Sequence, residues 1–163
     1  MSYASQMLDT YDTSPIDARV LAAAIDAMND CTQACIADTD ADLGDESVAM
    51  MVACIRLCLD CADVCTATAR VTSRPTAYHP SVTQPLLNAC VAICALCGDE
   101  CEEHADTHPH CEVCARACRR CEQACRDLLA ATQEGQSRRG GLDDWRDLER
   151  VLSPAGIAGQ PRM

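Results

Sequence analysis

The chain contains no phenylalanine and a single tryptophan, and aromatic residues make up 2% of its 163 positions. A core of ordinary aromatic and branched side chains is therefore excluded, and the interior must be filled by Ala, Val, Leu and Cys. Positive charge is also scarce: 13 Arg and Lys face 25 Asp and Glu, a net charge of −12. That balance argues against nucleic acid or an anionic membrane as a partner. No stretch reads as apolar and long enough to span a bilayer. Met1 to Asp12 lacks a basic segment, an apolar segment and a twin-Arg pair, so a secretory leader is not expected. The expected location is the cytosol, where thiols stay reduced.

What the chain has in excess is cysteine. Fifteen cysteines fall as Cys31, Cys35; Cys54, Cys58, Cys61, Cys65; Cys90, Cys94, Cys97, Cys101; and Cys111, Cys114, Cys118, Cys121, Cys125. Within each group the steps alternate between three and four residues, the period of one face of an α-helix. The last group spans about 21 Å at 1.5 Å per residue. Four helices, each with one row of thiols, are therefore predicted.

Breakers between the rows set the helix limits. Ser14, Pro15 and Asp17 read as a cap, a first-turn proline and a first-turn acid, which starts a helix running from Pro15 to Asp38. The acidic, Gly-containing stretch Thr39 to Gly44 ends it. A second helix runs from Asp45 to Thr72, where Ser73-Arg74-Pro75 breaks it. A third runs from about Ser81–Thr83 to Ala105, with Pro85 in its first turn, and a fourth from Pro109 to Thr132. Gly135 to Gly141 reads as a flexible link. Beyond it Leu142, Trp145, Leu148 and Leu152 share one side of a short helix. The fold class is all-α, an antiparallel up-down-up-down four-helix bundle with a Cys-lined core and short terminal helices. Residues 1–14 form an arm, 15–132 the bundle, and 133–163 the link, short helix and tail.

Three other uses of so many cysteines fit less well. Core packing by a small hydrophobe explains two or three thiols but not fifteen in register. Disulfides need an oxidising compartment, the count is odd, and residues i and i+4 on one helix are poorly placed to bridge. Iron–sulfur ligands sit on tight loops, typically with a proline after the last Cys, whereas these lie mid-helix. Soft thiolates select Cu(I), Zn(II) or iron–sulfur clusters. Zinc prefers closed four-ligand knuckles at chain reversals. Cu(I) accepts low coordination numbers and bridging sulfurs, and two cysteines one helical turn apart can hold one ion. Seven such CxxxC pairs (31/35, 54/58, 61/65, 90/94, 97/101, 114/118, 121/125) use every cysteine except Cys111. Many Cu(I) ions per chain are expected, on the order of one per thiolate, because partial filling strands charge in a buried tube. An iron–sulfur electron-transfer protein and a zinc or thiol-redox protein are the alternatives. With no Ser/His/Asp set, phosphate loop or nucleotide motif, the chain does not read as an enzyme.

The run Cys90-Val-Ala-Ile-Cys-Ala-Leu-Cys-Gly-Asp-Glu-Cys101, followed by Cys111-Glu-Val-Cys-Ala-Arg-Ala-Cys-Arg-Arg-Cys-Glu-Gln-Ala-Cys125, resembles the cysteine-rich four-helix-bundle copper-storage proteins. It looks most like their cytosolic bacterial branch. The likeness covers residues 15–132. It implies many Cu(I) ions held inside each bundle, mostly by CxxxC pairs, in homotetramers that store copper for homeostasis. The first helix departs from the pattern in carrying only two cysteines.

The bundle has a direction. His104 continues the third row past Cys101, His108 lies three residues before Cys111, and His110 is near but rotated off the stripe. These three histidines join the cysteines as candidate ligands at the mouth by which copper comes in. Met28, Met50 and Met51 each stand about one turn before a cysteine, though core filling is the simpler account of them. Acids crowd the same end: Asp38, Asp40, Asp42, Asp45, Glu46, Asp99, Glu100, Glu102, Glu103 and Asp106. Acids at the C-termini of two helices oppose the macrodipole, so they read as an attraction for cations, a copper chaperone or a small-molecule thiol carrier. The other end reads as closed by Leu21, Leu86, Leu87, Leu128 and Leu129. Two further apolar rows, Val48, Val52, Ile55, Leu59 and Ile16, Val20, Ala23, Ala27, suggest a subunit interface.

Overall fold

The structure, a computed structural model, describes residues 1–13 and 16–139. All its regular elements are helical. A short α1 (Tyr3–Leu8) precedes α2 (Ala18–Leu43), α3 (Val52–Thr72), α4 (Pro80–His104) and α5 (Pro109–Arg139), with 3₁₀ turns at Val48–Met50 and Pro75–Ala77. The last four form a ring in which α2 packs on α3, α3 on α4, α4 on α5 and α5 on α2. This is the expected up-down-up-down bundle. The short helix expected over Leu142 to Leu152 lies outside the described residues.

Local chemistry sets the helix ends, and several differ from expectation. The Asp17 side chain accepts the Arg19 backbone N–H at 2.8 Å and opens α2. That helix does not stop at Asp38 but continues to Leu43, because Asp38 and Asp42 prolong its buried row. The Asp45 carboxylate accepts the Ser47 N–H at 2.7 Å, which favours a turn over a helix start. Hence α3 begins at Val52 instead of Asp45. Helix α4 starts at Pro80, the favoured first position for proline. Pro85 thus lies more than a turn inside it, where it forfeits one backbone bond. Helix α5 runs past Thr132 to Arg139, through Gly135.

Helix α4 also corrects the membrane reading. It is long and apolar enough to cross a bilayer, with a mean hydropathy of 1.5 over its richest window. Four of its apolar residues are the cysteines that face the bundle interior, and it packs against α3 and α5.

Arg119 clamps α4 to α5. Its guanidinium donates to Glu102 at 2.8 and 2.9 Å, to Asp99, and to the Ala95 carbonyl at 3.3 Å. It lies across Gly98, where a Cβ would come within 3.1 Å of Arg119 Cζ. Glycine at that point lets the arginine lie flat on the helix.

Candidate metal centre

All fifteen cysteines are free thiols and buried, with 0–1% exposure. The four rows meet on the bundle axis as the 3-4 spacing requires. Most close sulfur contacts run between helices: Cys58 to Cys97 at 3.5 Å, Cys65 to Cys90 and Cys94 at 3.6 Å, Cys114 to Cys35 and Cys125 to Cys90 at 3.6 Å, Cys31 to Cys61 and Cys118 at 3.7 Å. Within a helix, Cys31/Cys35 and Cys61/Cys65 stand 3.9 Å apart.

These thiols stack in overlapping groups along the axis. Asp38, Cys54, Cys58 and Cys101 form one near the mouth. Below it come Cys35, Cys58, Cys97 and Cys114, then Cys31, Cys35, Cys61 and Cys118, then Cys31, Cys65, Cys94 and Cys121. Cys90, Cys121 and Cys125 lie at the far end. Cys31, Cys35, Cys58 and Cys121 each belong to two groups. Shared sulfurs suit ions that accept bridging thiolates and low coordination numbers, and they suit separate zinc knuckles poorly.

Hydrogen bonds through this array polarise it. Bonds from Cys101 and Cys58 pull the Cys54 thiol down to about 3, despite burial. Bonds to Cys114, Cys118, Cys31 and Cys58 hold Cys35 up. Cys111 stands apart: burial is the main cause of its raised pKa, reinforced by Asp38, Cys54 and Asp42.

Two carboxylates belong to the interior. Asp38 and Asp42 are 2% and 0% exposed, not part of the solvated acidic rim in which the sequence reading placed them. Asp38 Oδ2 accepts from Cys58 at 3.2 Å, Cys54 at 3.7 Å and Cys101 at 3.8 Å. Burial above all pushes its pKa to about 7. Asp42 Oδ1 lies 2.9 Å from His110 Nε2 and accepts from Cys111 at 3.8 Å. Burial raises its pKa while the His110 bond lowers it. The second oxygens, Asp38 Oδ1 and Asp42 Oδ2, are buried without a hydrogen-bond partner, a costly arrangement. The signal was present in the spacing: 31, 35, 38, 42 continues the same alternation with two carboxylates after two thiols.

The three histidines gather over this end. His104 and His108 have ring centroids 6.1 Å apart, and His108 and His110 5.5 Å. His108 Nε2 lies 3.4 Å from Ser47 Oγ and 3.8 Å from Asp45, and His104 Nε2 lies 3.5 Å from Glu100. His110 is not rotated away but joins the set through Asp42. Met51 is buried beneath this mouth, Met50 is exposed, and Met28 is buried at the other end of the α2 row.

At the far end Leu21, Leu87 and Leu128 close the tube, while Leu86 and Leu129 are only half-buried on its flank. Val52 and Leu59 are exposed, with Ile36 and Leu43 on α2. Ile16 and Ala27 are buried within the chain, so the apolar row on α2 is partly used internally.

Residues 17–130 match the copper storage protein family. The fold superposes on the copper storage protein Ccsp from Streptomyces lividans loaded with 10 copper equivalents, with a TM-score of 0.77 at 51% identity, over 78% of this chain and 98% of that one. It is similar also to a cytosolic copper storage protein from Streptomyces lividans carrying five coppers, with a TM-score of 0.68 at 54% identity, over 69% and 93% of the two chains. The uncharacterized cysteine-rich protein YhjQ of Bacillus subtilis (strain 168) is 32% identical over 108 residues, 66% of this chain and 94% of that protein. The chain belongs to the copper storage protein family.

Proposed function

We propose that this protein is a cytosolic, non-catalytic reservoir for Cu(I), with all fifteen cysteines as ligands. One observation carries this reading: fifteen buried thiols in overlapping groups that share sulfurs along one axis. Each Cu(I) displaces protons from the thiols it binds. About one ion per thiolate leaves the interior near neutral, so filling continues along the tube instead of halting at a few sites.

The histidine end is the way in. His104, His108 and His110 offer exchangeable imidazoles at the surface. Asp42 ties His110 to Cys111, and the group of Asp38, Cys54, Cys58 and Cys101 lies next along the axis. The unpartnered oxygens of Asp38 and Asp42 make both carboxylates further ligand candidates there. The acidic rim draws in a positively charged ion or carrier, a copper chaperone or a small thiol-bearing molecule.

The exposed apolar strip of Ile36, Leu43, Val52 and Leu59 is the surface on which copies of the chain associate as a homotetramer. Elemental analysis of the protein purified anaerobically from copper-fed cells tests the reading. Many copper ions per chain and a colourless solution are expected. A brown iron-containing protein, or zinc in place of copper, would overturn it.

A further inference from the structure

The bundle end opposite the histidines is not simply closed. Beyond the leucine layer each row ends in a threonine, Thr72 on α3, Thr83 on α4 and Thr132 on α5, all buried. Over them opens a cavity of about 370 Å³ whose walls include Ile16, Val71, Pro75, Tyr78 and Val82. A mostly apolar hollow of this size with a few polar groups is of the kind that binds a side-chain cluster or small ligand. Its charge is unusual for this molecule. In a chain of net charge −12, its lining carries Arg74 and His79 and no carboxylate.

The path of the chain brings a candidate occupant to this cavity. Thr132 lines it, and α5 continues to Arg139, about 10 Å further at 1.5 Å per residue. Residues 140–163 therefore leave the bundle at this end. They lie past residue 130, where the family match stops. Gly140 and Gly141 come first, and glycine adopts the conformations that a tight reversal needs. Then Leu142, Trp145, Leu148 and Leu152 recur at helical spacing, with Asp143, Asp144, Asp147 and Glu149 between them. From Leu142 to Leu148 such a helix climbs about 9 Å, which returns it to the level of Thr132. Apolar stripe meets apolar hollow, and acids meet Arg74 and His79.

We propose that residues 142–152 fold back onto their own bundle and seat Trp145 and Leu148 in this cavity, with the flanking acids against Arg74 and His79. The seated segment seals the end of the tube away from the mouth. It covers the Leu87 and Leu128 layer, next to which Cys90 and Cys125 lie 3.6 Å apart. This seal holds the innermost thiols away from water and oxidants.

Trp145 is the chain's one tryptophan, so its fluorescence reads the seat directly in the reduced, metal-free, full-length protein. Its emission should be blue-shifted, and acrylamide should quench it several-fold less than in a free peptide of residues 140–163. Val82 is 51% exposed in the first turn of α4, where an acid suits the helix dipole. Val82→Glu should thus fold normally yet expel the segment, and Arg74→Glu should do the same from the other rim. Both variants should show the emission and quenching of the free peptide with unchanged helical circular dichroism. Peptide-like emission in the unmutated protein would overturn the proposal. So would burial that survives both substitutions, which places the tryptophan elsewhere, or burial lost on dilution, which places it in a second copy.

Discussion

Replacing Asp38 with Asn keeps the shape and an acceptor for the Cys58 thiol but removes the ionisable carboxyl. In the folded protein, burial raises that carboxyl from 3.8 to about 7. Below pH 4 it is protonated in both folded and unfolded chains and contributes no penalty. As pH climbs from about 4 to 7 the unfolded chain releases the proton while the folded chain holds it. Stability therefore falls across that window and levels off above it. At about 1.4 kcal/mol per pH unit the ceiling is about 4 kcal/mol, and screening at the mouth reduces it to about 2 kcal/mol. Urea unfolding of the reduced, metal-free chain between pH 4.5 and 7.5, followed by circular dichroism, measures it. Other carboxylates titrate too, so the informative quantity is the difference between Asp38→Asn and the unmutated protein. That difference should grow with pH in favour of the variant, by about 2 kcal/mol across the window. Parallel profiles would refute the placement of Asp38 among the thiols.

Replacing His104 and His108 together with Ala should slow Cu(I) uptake and removal in stopped-flow experiments while leaving capacity unchanged. Leu128→Ala should cost about 2–4 kcal/mol in unfolding experiments without lowering copper capacity, since Leu128 lies outside the thiol array. Gly98→Ala should displace the Arg119 guanidinium and cost about 1 kcal/mol. Combined with Arg119→Ala it should be non-additive in a double-mutant cycle, because each change breaks the same contacts. Leu59→Arg should shift sedimentation from tetramer to smaller species with the helical content retained.

The bundle was legible because the same residues signal both helix and interior: a cysteine every three or four positions marks a face and says that the face is buried. The helix ends were less legible, since they depend on tertiary burial. Helix α2 outlasts its expected stop because Asp38 and Asp42 are drawn into the core, and a hydrophobicity pattern counts aspartate as surface. The site was legible in its thiols and in its histidine mouth. The two carboxylates were misread as rim charge, although their spacing continues the cysteine row. The cavity above Thr72, Thr83 and Thr132 was illegible, because threonine marks neither a core nor a pocket until three helices converge. The emphasis on CxxxC pairs also changes: the close sulfur contacts lie mostly across helices, set by how α2 to α5 pack rather than by spacing along any one of them.

An anaerobic Cu(I) titration of the fully reduced protein against a competing chelator tests the central claim most directly. Binding should continue to about one copper per cysteine, with thiol protons released throughout and the thiols finally inert to alkylation. Saturation at one to three ions, with most thiols still reactive, would contradict the account.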